Sequence, residues 1–123
     1  MSNEFCHIEL HTDDVEKAKS FFGSLLSWNL QDMDMGDAAY TMIGVGEGGT
    51  GGGIMKKPHP SAPTAWLPYV LVDDIDAKAA KVQELGGEIV QEKMEVPEYG
   101  WMVVIKDPTG AALGFWQPMK KSD

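Results

Sequence analysis

The chain contains no arginine, and its ten basic residues are all lysine. Nineteen acids oppose them, giving a formal net charge of -9 over 123 residues. A nucleic-acid binder needs a basic face to displace counterions from phosphates, and this balance offers none. Anionic membrane surfaces are disfavoured on the same ground. Bidentate capture of carboxylate or phosphate is arginine chemistry, so a strongly anionic substrate would have to be held by lysine, histidine or backbone N–H groups. Cys6 is the only cysteine, which excludes an intramolecular disulfide and any CxxC metal site. No apolar run approaches the ~20 residues of a membrane span. The opening Met1-Ser2-Asn3-Glu4 has neither a basic nor an apolar segment of a secretory signal. These absences lead to the expectation of a cytoplasmic protein.

What is present is ordinary globular material, 43% apolar and 24% charged, at a length that suits one domain. The chain also repeats itself. Leu10-His11-Thr12-Asp13-Asp14-Val15-Glu16 returns as Val70-Leu71-Val72-Asp73-Asp74-Ile75-Asp76. In the first copy, Phe5, His7, Glu9 and His11 alternate with Cys6, Ile8 and Leu10, the period of a strand. Asp13 then reads as a helix N-cap with Glu16 as its reciprocal partner. Val15, Ala18, Phe22, Leu25 and Leu26 follow helical spacing. Trp28–Met33, Ala38–Gly44 and Thr50–Met55 read as three strands, with Gly36 and the Gly44–Gly53 region supplying turns.

The second copy has the same order. Trp66–Val72 is a strand, and Asp73 caps a helix carrying Ile75, Ala79, Val82 and Leu85 that Gly86-Gly87 ends. Glu88–Lys93, Gly100–Lys106 and Ala111–Gln117 are the remaining strands. Pro58, Pro60 and Pro63 make the segment between the copies an extended linker. The expected fold is α+β: two βαβββ modules, each a curved mixed sheet with a helix on its convex face, together forming a cup. The expected organisation is a single domain over 1–123, with modules at about 3–56 and 66–118 and a linker at 57–65.

At this point the chain resembles the vicinal oxygen chelate superfamily of glyoxalase I, extradiol dioxygenases and bleomycin-resistance proteins. The resemblance rests on His7-Ile8-Glu9-Leu10, Asp13-Asp14 with Ala18, Phe21-Phe22 and Leu26-Ser27-Trp28. It continues through Gly51-Gly52-Gly53-Ile54-Met55, Val72-Asp73-Asp74-Ile75-Asp76 and the closing Asp107-Pro108-Thr109-Gly110 with Leu113-Gly114-Phe115-Trp116. It implies a divalent-metal site at His7, near Gly53, at Leu67 and at Gly114. Only His7 is a ligand type, and Gly114 stands where an acid is expected. Leucine and glycine side chains donate nothing to zinc, nickel or iron, and a catalytic ion usually keeps three or more protein ligands. Metal-dependent glyoxalase I activity is therefore not supported.

Nor do the histidines of the first strand supply an alternative. His7 and His11 lie ~13 Å apart along an extended chain, too far to share one ion without strained side chains. His7 with Glu9 is a better pair but leaves the site open. The expectation is a cup without cofactor or metal that binds a small, largely apolar organic molecule. Its lining is assigned to His7, Glu9, Tyr40, Gly53, Met55, Leu67, Tyr69, Trp101, Gly114 and Trp116. The alternative is an enzyme of lyase, isomerase or dioxygenase type, with a degenerate metal site at His7 and Glu9 or with one of them as base. Desolvation in an apolar cup would raise the Glu9 pKa toward a useful range. Exposed sheet edges invite pairing, so a homodimer is expected.

Overall fold

A computed structural model describes residues 3–35 and 38–119. It contains the two βαβββ modules in the order read from the sequence. The first comprises β1 (Phe5–Thr12), α1 (Val15–Leu25), β2 (Asn29–Met35), β3 (Ala38–Gly44) and β4 (Gly52–Lys56). The second comprises β5 (Ala65–Leu71), α2 (Ile75–Glu84), β6 (Glu88–Val96), β7 (Gly100–Lys106) and β8 (Ala112–Pro118). Gly36 lies outside the described residues, as does the chain beyond Met119. No described helix is long and apolar enough to cross a membrane.

The chain divides into two compact units, one covering His7–Leu67 and the other the residues before and after it. In the first unit β1 runs parallel to β4, while β4, β3 and β2 are antiparallel neighbours. The register aligns Leu10 with Ile54 and Ile54 with Thr41 on one face. That face packs on α1: Leu10, Ile43 and Ile54 are buried against Val15, Ala18, Phe22, Trp28 and Leu30. Truncating Ile54, which has no exposed surface, to Ala should cost about 2–5 kcal/mol. Trp28 precedes β2 instead of starting it, and its ring meets Phe22 at 5.5 Å and Trp66 at 6.2 Å.

In the second unit β5 runs parallel to β8, with β8, β7 and β6 antiparallel. Val72, Ile75, Val82, Val103 and Ile105 form its core under α2. The first residues of β1 belong to this unit, where the Leu71 N–H donates to the Glu4 carbonyl at 2.9 Å. β6 continues to Val96, three residues past the expected end, through register shifts between Ile89 and Gln91 and between Gln91 and Met94. Such irregularities break strict alternation and hide a strand from a period-two reading.

Both helix caps sit one residue later than expected. Asp14, not Asp13, accepts the Lys17 N–H at 3.0 Å, and Asp74, not Asp73, accepts the Ala77 N–H at 3.1 Å. Asp13 instead pairs with Lys57 at 3.1 Å, and Glu16 pairs with Lys19 one turn on. Leu25, Leu26 and Leu85 are exposed rather than core, because each lies at or beyond the last turn of its helix. The Asp107-Pro108-Thr109-Gly110 motif is a turn. Asp107 Oδ1 accepts from the Thr109 N–H at 2.7 Å, its hydroxyl at 2.6 Å and the Ala111 N–H at 3.1 Å. These bonds, led by the Thr109 hydroxyl, hold the Asp107 carboxyl below its ordinary range. The motif therefore needs no site to explain it.

Candidate functional site

The alternation of β1 sends Leu10 toward α1 and His7, Glu9 and His11 to the opposite face. Register carries that far face across the first unit. Glu9 stands beside Gly53 and Gly53 beside Met42, while His11 stands beside Met55, Met55 beside Tyr40, and Tyr40 beside Met33. His7, Glu9, Tyr40, Gly53 and Met55 thus share one face, as the sequence led us to expect. His11, Met33 and Met42 join them. Parity already put His11 beside Glu9, but its role as partner was not drawn from it.

Four polar side chains on this face form a continuous hydrogen-bonded chain. The Tyr40 hydroxyl donates to Glu9 Oε2 at 2.7 Å. With its single proton committed there, Tyr40 Oη must accept from His7 Nε2, which lies 2.6 Å away. His11 Nε2 donates to Glu9 Oε1 at 2.7 Å. Both imidazoles therefore carry a proton on Nε2. The His7 and Tyr40 rings stack at 17° with centroids 6.4 Å apart, and His7 Nε2 lies 3.7 Å from Glu9 Oε2.

This arrangement reverses the expected behaviour of Glu9. The residue is 8% exposed, and burial alone does push its pKa up. Hydrogen bonds from His11 and Tyr40, with the His7 imidazole beside them 3.7 Å away, outweigh burial and hold the carboxyl well below the usual carboxylate range. A carboxylate accepting several donors is stabilised in its charged form. Glu9 is thus a fixed anion with both oxygens engaged, and a poor proton acceptor near neutral pH.

Gly53 is glycine for a steric reason. A Cβ built there would collide with the hydroxyl and ring of Tyr40. The second unit repeats the device. Tyr69 pairs with Gly114 across β5 and β8, and a Cβ at Gly114 would collide with the Tyr69 ring. Tyr69 is 3% exposed and has nowhere to swing. Trp116 pairs with Leu71, on the same side of its strand pair as Gly114 and Tyr69. Leu67 is buried on β5.

Trp101 departs from the expected lining. It packs against the core under α2, with Lys93 Nζ 5.5 Å from its ring centre, on the opposite face from Tyr69 and Trp116. Its register partner Gln117 confirms the facing, since Gln117 Oε1 accepts the Ile75 N–H at the start of α2 at 2.8 Å. Parity counted from Gly100 alone did not fix that face. Cys6 is half-buried, its thiol 3.7 Å from the Tyr69 carbonyl; burial, then the charge of Glu4, raises its pKa.

A model of the Glyoxalase/Bleomycin resistance protein/Dioxygenase superfamily matches residues 5–115. The chain belongs to that superfamily. "Putative glyoxylase CFP32" of Mycobacterium tuberculosis is 36% identical over 114 residues, covering 89% of this chain and 44% of that protein. The anthracycline biosynthesis protein DnrV of Streptomyces peucetius is 27% identical over 124 residues, 89% of this chain and 45% of its own. The chain spans less than half the length of these curated relatives. Methylmalonyl-CoA epimerase from Mycobacterium tuberculosis shares the superfamily fold, with a TM-score of 0.68 at 16% identity, over 94% of this chain and 88% of the epimerase.

The resemblance puts metal-ligand positions at His7, near Gly53 and at Leu67 in one unit and at Gly114 in the other. The residues here do not fit a divalent ion. Only His7 offers a donor, and at Gly53 and Gly114 a tyrosine ring fills the space into which a ligand side chain would extend. Among the described residues there is no group of three His, Cys, Asp or Glu arranged to hold a metal ion.

Proposed function

We propose that this superfamily member binds a small, largely apolar organic molecule in the cytoplasm, without a divalent ion. Binding takes place on the far face of the His7–Leu67 unit. One observation carries the reading. Glu9, the acid best placed for metal or proton chemistry, is locked by Tyr40 and His11, while Met33, Met42, Met55 and the Tyr40 ring share its face. Thioethers and an aromatic ring give adaptable apolar contact, worth about 25 cal/mol per Å² buried. A fixed anion beneath them favours neutral or cationic ligands. Relatives named for anthracycline biosynthesis are in keeping with an aromatic ligand. We further propose that the protein acts as a homodimer.

The test is a screen of neutral, cationic and anionic aromatics by thermal shift and methionine-methyl NMR. Methionines report better than tryptophans, because Trp28 and Trp66 sit with Phe22 on the α1 side. Neutral or cationic aromatics should shift the Met33, Met42 and Met55 signals. Met55→Ala should weaken binding, and Glu9→Gln should relax the charge preference. Binding of anions alone, or parental binding by both variants, would refute this placement.

A second reading has the His7–Tyr40–Glu9 chain in its favour. In an enzyme His7 would exchange protons with the ligand, and Tyr40 and Glu9 would position it. Turnover abolished by His7→Gln, with binding retained, would select that reading.

A further inference from the structure

The unit containing α2 carries an open groove that the function proposed above does not use. About 410 Å³ in volume, it lies between the C-terminal half of α2, β7, β8 and the Asp107-Pro108 turn. Val82, Leu85, Ile105 and Phe115 give it an apolar wall. Leu85 is 73% exposed. A lone exposed leucine is unremarkable on any surface, but this one borders a volume within the ~300–1,000 Å³ of small-molecule sites.

Lys78, Lys81 and Lys106 stand on the same wall. The spacing 78, 81, 82, 85 puts two of these lysines on one stripe of α2 with Val82 and Leu85. None of the three ammonium groups pairs with a described carboxylate, whereas Lys19, Lys57 and Lys93 each reach one within 3.1 Å. Asp107, the acid on the groove wall, is engaged by its own turn. Lys81 in the last turn opposes the helix dipole. Lys106 on β7 has no such role, and Lys78 lies a turn earlier. Three cations without a described carboxylate partner beside one apolar groove stand out in a chain of net charge -9.

The geometry points to a second binding site, for a small amphipathic carboxylate. Its apolar body lies along Val82, Leu85, Ile105 and Phe115, and its head is held by the lysines as point charges, a role that needs no arginine fork. The site is independent of the Glu9 face, where a fixed anion disfavours such ligands.

Octanoate is the probe, with 1-octanol and inorganic phosphate as comparators, titrated into the whole chain by calorimetry and methyl NMR. Octanoate should shift the methyl signals of Val82, Leu85 and Ile105. Each of Lys78→Gln, Lys81→Gln and Lys106→Gln should weaken it about two- to fivefold, the scale of an exposed charge pair. High salt should act in the same direction. Leu85→Ser should cost about tenfold or more. Octanol or phosphate binding as tightly as octanoate overturns the proposal, as do lysine variants that bind like the parent. Octanoate shifting only Met33 and Met55 overturns this site while leaving the superfamily fold and a binding role for the Glu9 face intact.

Discussion

Tyr40→Phe removes one oxygen from the centre of the polar chain and keeps the ring. The lost bond runs at 2.7 Å to the carboxylate of Glu9, a residue 8% exposed. A hydrogen bond to a charged group contributes about 1.5–3 kcal/mol, and His7 Nε2 also loses an acceptor. The variant should therefore be less stable at neutral pH by about 2–3 kcal/mol. The pH dependence adds a second signature. Glu9 is held below its ordinary value of 4.5, so its stabilisation is complete above that pH. Below it the unfolded chain takes up the proton first, and each further pH unit removes up to about 1.4 kcal/mol until the folded group is protonated. Losing the Tyr40 hydroxyl moves the folded pKa back toward the ordinary value, so the variant has less to lose in acid. Urea melts from about pH 7 downward should show the gap between parent and Tyr40→Phe holding until the pH reaches the folded pKa of Glu9 in the variant, and narrowing below it. A gap under about 0.5 kcal/mol at neutral pH, or one that widens as pH falls, would refute the reasoning.

Gly114→Ala drives a methyl group into the Tyr69 ring and should lower stability by about 1–3 kcal/mol, an overpacking cost that a thermal melt can read; an unchanged melting temperature would contradict it. Elemental analysis should find far less than one nickel, zinc or iron per chain, whereas near-stoichiometric metal lost on His7→Ala would defeat the metal-free reading. Light scattering should give a mass above the 13.4 kDa of one chain as concentration rises, and a constant monomer mass would rule out the dimer. Asp74→Ala should cost about 1 kcal/mol through the lost cap, and a thermal melt unchanged by it would contradict the cap.

Much of the fold was legible because two periodicities dominate the chain. β3 and β7 have the expected bounds, Ala38–Gly44 and Gly100–Lys106, since alternation there is uninterrupted. β6 was cut short where register shifts spoil it. The caps were misplaced by one residue because each helix is preceded by two consecutive aspartates, and only three-dimensional reach selects between them. At the site, parity located the far face of β1 but not the sign of the Glu9 shift. That sign depends on Tyr40, 31 residues away, and His11, two residues away, converging on one carboxylate. The linear sequence records burial more readily than it records such convergence. The same holds for Trp101, whose facing is fixed by cross-strand partners that follow it in the chain.

The tyrosines seated over Gly53 and Gly114 have a consequence for how such a chain can change. A lineage that gained a carboxylate at 114 would have to place it against the Tyr69 ring, and one that gained a ligand at 53 would meet Tyr40. Shrinking either tyrosine first leaves a void or an unsatisfied Glu9, so both orders pass through a weakened intermediate. The two positions of each pair are coupled: a side chain added at the glycine alone meets the tyrosine, and changing both together removes that clash. Directed evolution toward a metal enzyme on this scaffold should accordingly stall under single substitutions and advance only from libraries that vary Tyr40 with Gly53, or Tyr69 with Gly114, in the same molecule.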